Sequence, residues 1–188
     1  LEAYNKALVF SDDPRWRIEH AQIIDTSDIK LFNRKIIPSV QPTHATSDMY
    51  WAEDRLGKKR LQGAYAYKLL LEKSGRIALG TDFPVENVSP INTFFSAVFR
   101  EDSNLYPEDG YLPNNKLSKL EALKGMTIWG AYSNFEERQK GSIEVGKSAD
   151  FVILDRDLLD EPKKRILNAK IVATILNGNI VVLSLIHI

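Results

Sequence analysis

The 188-residue chain contains no cysteine, which removes disulfide frameworks and thiolate metal sites, so any metal must be held by His, Asp, Glu or a modified side chain. Histidine is scarce as well, with only His20, His44 and His187. Neither sign of charge is in excess: 25 Lys and Arg balance 25 Asp and Glu, so the basic footprint of a general nucleic-acid or acidic-membrane binder is missing. No apolar run reaches the roughly 18 residues that span a bilayer. Glycine-rich phosphate loops, heptad arrays, internal repeats and low-complexity tracts are also absent. Lack of cysteine suits cytoplasm and periplasm alike, which leaves a cytoplasmic and a periplasmic or secreted location equally open. What is present, 44% hydrophobic residues, supports one sizeable core in an ordinary soluble protein.

The chain opens on Leu1, Tyr4, Ala7 and Leu8 on one helical face, with no initiator Met or signal-peptide pattern. The expectation is a fragment that begins inside a helix. At the other end the sequence runs apolar to Ile188, and residues 184–188 are expected to be a tail foreign to the natural protein. His187 is discounted as a ligand for that reason.

Between the ends, residues 15–22 read as a short strand ending in polar groups, residues 28–33 as a brief helix and residues 36–41 as a second strand. Residues 42–57 show no period and read as a long loop. Residues 58–73 trace a helix with Leu61, Tyr65 and Leu69 inward, stopped by Gly75. Ser89-Pro90 supplies an N-cap and N1 proline for a helix through Phe99. Ser118 with Glu121 forms a capping box for a helix to about Phe135, with Leu120, Leu123, Thr127, Ala131 and Phe135 on one face. After Gly141 helical period almost vanishes, and strands at 151–154, 169–176 and 179–183, the last two joined by Asn177-Gly178, form a small all-β element. Repeated β-α units imply a parallel sheet with right-handed crossovers.

The run Arg76-Ile-Ala-Leu-Gly-Thr-Asp82-Phe-Pro84 reads as a short strand buried on both faces, with Asp82 at its C-terminal mouth, the end that carries chemistry in parallel α/β folds. By itself the run fits a turn residue equally well. Glu19-His20-Ala21-Gln22 ends an earlier strand, and Gln41-Pro42-Thr43-His44 lies between the two.

Together, Arg-Ile-Glu-His-Ala-Gln, Ser-Val-Gln-Pro-Thr-His, Gly-Thr-Asp-Phe-Pro-Val and Gly-Lys-Ser-Ala-Asp-Phe-Val-Ile-Leu-Asp resemble the metal-dependent amidohydrolase superfamily, specifically amidohydrolase family 3, over nearly the whole chain. The resemblance implies an α/β fold: a (β/α)8 TIM-like barrel joined to a small β-sandwich built from both chain ends. Residues 1–140 would hold its last three strands and residues 141–183 the C-terminal sandwich strands, since a whole barrel takes about 250 residues. It also implies a divalent metal, zinc above all, as one or two ions. His20 and Asp82 would be ligands, with further ligands upstream, and Asp82 would be the catalytic proton shuttle. His44, Gln41, Trp51 and Arg55 are candidates for substrate contact, although loop hydrogen bonding, core anchoring and an ion pair explain His44, Trp51 and Arg55 as readily. Asp150 and Asp155 read as turn and capping groups. The implied activity is hydrolysis of C–N bonds other than peptide bonds in a small-molecule substrate, with no nucleic acid and no membrane span involved. The competing expectation is a non-catalytic scaffold on the same fold. Alone, the chain is expected to be poorly soluble and inactive.

Overall fold

The computed structural model describes residues 1–184, so of the expected foreign tail only Ser184 is described, and His187 lies outside the described residues. The fold is mixed α/β. Three parallel strands, β1 (Trp16–Glu19), β2 (Ile36–Val40) and β3 (Ala78–Leu79), form one sheet in that order, with Glu19 beside Ser39 and Val40 beside Leu79. The middle strand is closed to solvent, with Ile36, Ile37 and Val40 fully buried and Ile77 just ahead of β3 buried too, as expected of a parallel strand covered on both faces, whereas β1 is largely exposed.

Helix α1 (Glu2–Ala7) precedes β1, and the brief helix between β1 and β2 is a single 3₁₀ turn over Ile29–Leu31. The expected loop after β2 is instead helical, as α2 (Pro42–Asp48) and α3 (Ala52–Leu61). Pro42 at the first turn favours α2. No apolar period marks it in the sequence, because the helix buries polar Thr43, His44 and Thr46 along with Pro42 and Ala45. Gly57, at φ 71°, kinks α3.

The single helix expected over 58–73 is two. The chain leaves α3 and returns to the exit of β1, where Ile24 N–H donates to Gly63 O at 3.0 Å and Tyr65 N–H to Gln22 O at 2.7 Å. A side chain at position 63 would begin 1.8 Å from Ile24 O, so glycine is required there. Helix α4 (Tyr67–Ser74) then buries Tyr67, Leu70 and Leu71, while Leu69 is exposed and Leu61 only partly covered. Gly75 ends it in the left-handed region, as anticipated.

Helix α5 (Pro90–Phe99) starts at Ser89, whose Oγ accepts from Asn92 N–H. The Ser118 capping box opens α6 (Lys119–Met126), but Thr127, at φ −124° and ψ −99°, breaks the expected long helix before α7 (Ile128–Ser133). The buried face is Ala122, Gly125 and Ala131; Leu120, Thr127 and Phe135 are exposed.

The final segment is an antiparallel sheet of β4 (Phe151–Leu154), β5 (Ile171–Leu176) and β6 (Asn179–Leu183), with Asn177 and Gly178 at positive φ in the hairpin turn. It is not all β, because α8 (Lys163–Leu167) interrupts it and packs on α5. Buried Ile166, and Lys163 Nζ at 2.9 and 3.0 Å from the Glu101 carboxylate, fasten this helix to the α/β part. Asp150 Oδ1 accepts from Asn177 N–H and Asp155 Oδ1 from Lys170 N–H, so both tie distant ends of the sheet's strands together where turn and capping roles were expected.

Candidate metal centre

Because β1, β2 and β3 run parallel, their C-terminal ends open on one side of the sheet. His20 follows β1 directly, α2 with His44 follows β2, and Asp82 follows β3. His20 and Asp82 both adopt left-handed backbone conformations, φ 63° and 58°, which a polar side chain tolerates better than an apolar one and which cluster at functional strand ends. Asp82 O also accepts from Val85 N–H at 2.8 Å, so its backbone closes a turn while its side chain faces the histidines. The turn role is thus met by the backbone, and the carboxylate is left free to face the histidines. His44 is the third residue of α2, its N–H bonded to Gln41 O at 3.1 Å.

Asp82 Oδ2 lies 3.4 Å from His44 Nε2 and 4.0 Å from His20 Nδ1. The two imidazoles stack with centroids 5.7 Å apart and planes within 6°. One donor atom from each of the three residues falls within 4.8 Å of the others, and among the described residues no other group of His, Asp and Glu does this. The side chains grade from inside to outside: His44 is 9% exposed, Asp82 31% and His20 48%. His44 Nε2 is buried without a hydrogen bond, its approach to Asp82 being too poorly aligned to count as one. The imidazole of His20 with the Asp82 carboxylate is a mixed nitrogen and oxygen donor pair that fits a borderline divalent cation such as zinc, and the orphaned His44 nitrogen beside them is free to meet either the ion or a bound substrate.

Supporting contacts hold the strand ends in place. Asp48, one turn beyond His44 on α2, accepts from Gln22 Nε2 at 2.7 Å and Tyr65 Oη at 2.8 Å, tying the loop after β1 to α2. Burial pushes the Tyr65 hydroxyl well above the ordinary tyrosine range, so it remains a donor to Asp48. Tyr67 Oη donates to Gln41 O at 3.1 Å. Asp48 does not stand out in the sequence, because its i,i+4 relation to His44 exists only once residues 42–48 form a helix.

The other candidates are more dispersed. Gln41 is buried at the head of α2 with Oε1 unpartnered. Trp51 is half exposed at the start of α3, and Arg55 is exposed on α3 with no ion pair to another described residue. Neither belongs to the His20, His44 and Asp82 cluster.

Two histidines and an aspartate gathered at the ends of parallel strands make a candidate metal site on an α/β fold. A family model described as amidohydrolase family matches residues 1–182, and the chain belongs to that family, in its family 3 branch. It is 36% identical over 168 residues to YtcJ of Bacillus subtilis, a protein named as a candidate amidohydrolase, covering 88% of this chain and 31% of that protein. It is 34% identical over 168 residues to the protein LONG AFTER FAR-RED 3 of Arabidopsis thaliana, covering 88% of this chain and 28% of that one. Among solved structures, an uncharacterized metal-dependent hydrolase from Pyrococcus furiosus superposes with a TM-score of 0.67 at 30% identity, over 85% of this chain and 31% of the other. The chain thus spans less than a third of the length of these relatives.

Proposed function

We propose that the complete protein is a metal-dependent hydrolase of C–N bonds other than peptide bonds, acting on a small amide, formamide or cyclic amide. The observation that carries this reading is the convergence of His20 and Asp82 at parallel strand mouths, with donor atoms 4.0 Å apart. The sheet β1-β2-β3 is read as the last three strands of a (β/α)8 barrel and β4-β5-β6 as part of a sandwich completed elsewhere in the protein. Family membership supports both assignments, and the parallel strand order supports the first.

His20 and Asp82 would hold the ion, with zinc favoured by the donor set. Such an ion would supply Lewis acidity toward the scissile carbonyl and bring the pKa of water down toward about 7. Asp82 takes the proton of the attacking water on its carboxylate and returns it to the leaving nitrogen, a general base that becomes a general acid within one turnover. His44 faces the same Asp82 oxygen from the buried side, 3.4 Å away, and is assigned to substrate contact at the reacting carbonyl. The half-exposed His20 edge leaves the approach for substrate and water. The chain alone is expected to be inactive, because ligands outside it complete the centre.

A non-catalytic scaffold on the same fold is the other reading; it gives no reason for an orphaned buried imidazole nitrogen at a carboxylate. The test is to purify the complete protein, measure bound zinc and assay a panel of N-acyl and cyclic amides. Stoichiometric zinc with amide turnover supports the hydrolase, whereas a metal-free protein inert to the panel supports the scaffold.

A further inference from the structure

A cavity of about 220 Å³ lies between α2, α5 and the segment after α5. Thr43, Ser47 and Tyr50 line it from the α2 side, while His44, on the neighbouring helix face, turns to Asp82. Glu86 lines it from the turn that begins at Asp82, its N–H 3.4 Å from Asp82 O. Cavity and metal centre therefore share a helix and a turn.

The lining includes three carboxylates, Glu86, Glu101 and Asp102, and no Lys, Arg or His. Two of the three are already satisfied. Glu101 is held by Lys163, and Asp102 accepts from Tyr50 Oη at 2.5 Å and from the N–H groups of Asn104 and Tyr106. Glu86 receives only Ser47 Oγ at 2.5 Å and faces no cation among the described residues. Independently of these acids, Thr43 is 6% exposed and its Oγ1 has no hydrogen-bond partner, an unmet buried acceptor of the kind a ligand or water satisfies. The three carboxylates do not converge as ligands of a bare ion; among the described residues only His20, His44 and Asp82 do. Phe95 and Leu167 add apolar wall. A hollow with an uncompensated carboxylate, unmet hydroxyl capacity and an apolar side suits a compact organic cation.

We propose that this cavity receives a primary ammonium group on a short apolar stem, with Glu86 as its counter-charge and Thr43 as a further acceptor, and that this group is the end of the substrate remote from the scissile bond. The substrate assignment rests on the hydrolase reading above; the ammonium site does not.

The test uses the complete protein and titrates n-butylammonium against its neutral counterpart 1-butanol, followed by NMR. Saturable n-butylammonium binding is expected, with affinity falling about tenfold or more in Glu86→Gln, the change expected from losing a charge-assisted hydrogen bond, and with 1-butanol binding far more weakly. Thr43→Val should weaken n-butylammonium several-fold without lowering the melting temperature, because the hydroxyl has no partner to lose; this variant carries the test if Glu86→Gln fails to fold. Equal binding of the two probes, or affinity unchanged in both variants, overturns the proposal. Glu86-dependent ammonium binding without amide turnover keeps the ammonium site and removes the hydrolase reading. Turnover of neutral amides without ammonium binding removes the site and keeps the hydrolase.

Discussion

Asp82 shows how much one residue can carry when its backbone and side chain do different work. Its carbonyl closes the turn after β3, and its carboxylate is the point on which both histidines converge. In the complete protein, Asp82→Asn is expected to lower kcat by about 10²–10⁴, the range for a lost proton-transfer group, while the turn and the melting temperature survive; activity within threefold of wild type would remove the shuttle. His44→Asn separates substrate contact from ligation. Metal content should stay near wild type while kcat/KM falls, and loss of bound zinc in that variant would make His44 a ligand instead. His20 and Asp82 could be singled out in the sequence because each stands at the end of a short strand inside a motif that resembles the family's; neither run marks its residue without that resemblance. The closeness of His44 was not, since nothing local in Gln-Pro-Thr-His fixes how far α2 leans over the sheet.

At the scale of elements, what punctuates the chain was readable and what packs it was less so. Ser89, Ser118, Gly75 and Asn177-Gly178 act through their own backbone neighbours, and each does in the structure what its chemistry dictates. The breaks at Gly63 and Thr127 answer to tertiary demands, a return to β1 in one case and the fit of α6 and α7 over β3 in the other, and a helical period along the chain does not register them. Gly125 states the second demand most sharply: a Cβ there would sit 2.7 Å from Leu79 Cγ and 3.2 Å from Ile77 O. Gly125→Ala should destabilise by about 1–3 kcal/mol through overpacking, read by denaturant melts, and should also depress activity because β3 carries Asp82. A neutral melt would mean that α6 stands off the strand. Glu121 gives a pH test. Burial would raise its pKa, but Lys68 Nζ at 2.7 Å and the N–H and hydroxyl of Ser118 hold it below the ordinary carboxylate range. A folded pKa below the unfolded one means stabilisation that is complete above the unfolded value and lost as pH falls through the folded one. Glu121→Gln should therefore cost about 1 kcal/mol near neutrality, and the gap from wild type should close below about pH 4; a gap independent of pH would contradict the charge role.

For the molecule as a whole, the parallel sheet and the antiparallel sheet differ in how they are covered. Helices shield β2, whereas Val152, Ile153, Ile180, Val181, Val182 and Leu183 remain about half exposed on β4 and β6. Apolar strand surface of that extent is unfavourable in water. The 188-residue chain expressed alone is expected to associate or precipitate and to show no amide turnover; a monomer by light scattering with a sharp cooperative melt would contradict that. The class of fold was legible from alternating β-α signals, but the anchoring of α8 to α5 was not, because the Glu101–Lys163 pair joins residues 62 positions apart. The most direct test of the central claim is zinc-edge anomalous diffraction from crystals of the complete protein grown with zinc. A peak is expected within about 2.0–2.2 Å of a His20 imidazole nitrogen and an Asp82 carboxylate oxygen. Zinc bound elsewhere, with these two side chains free of it, would contradict the claim.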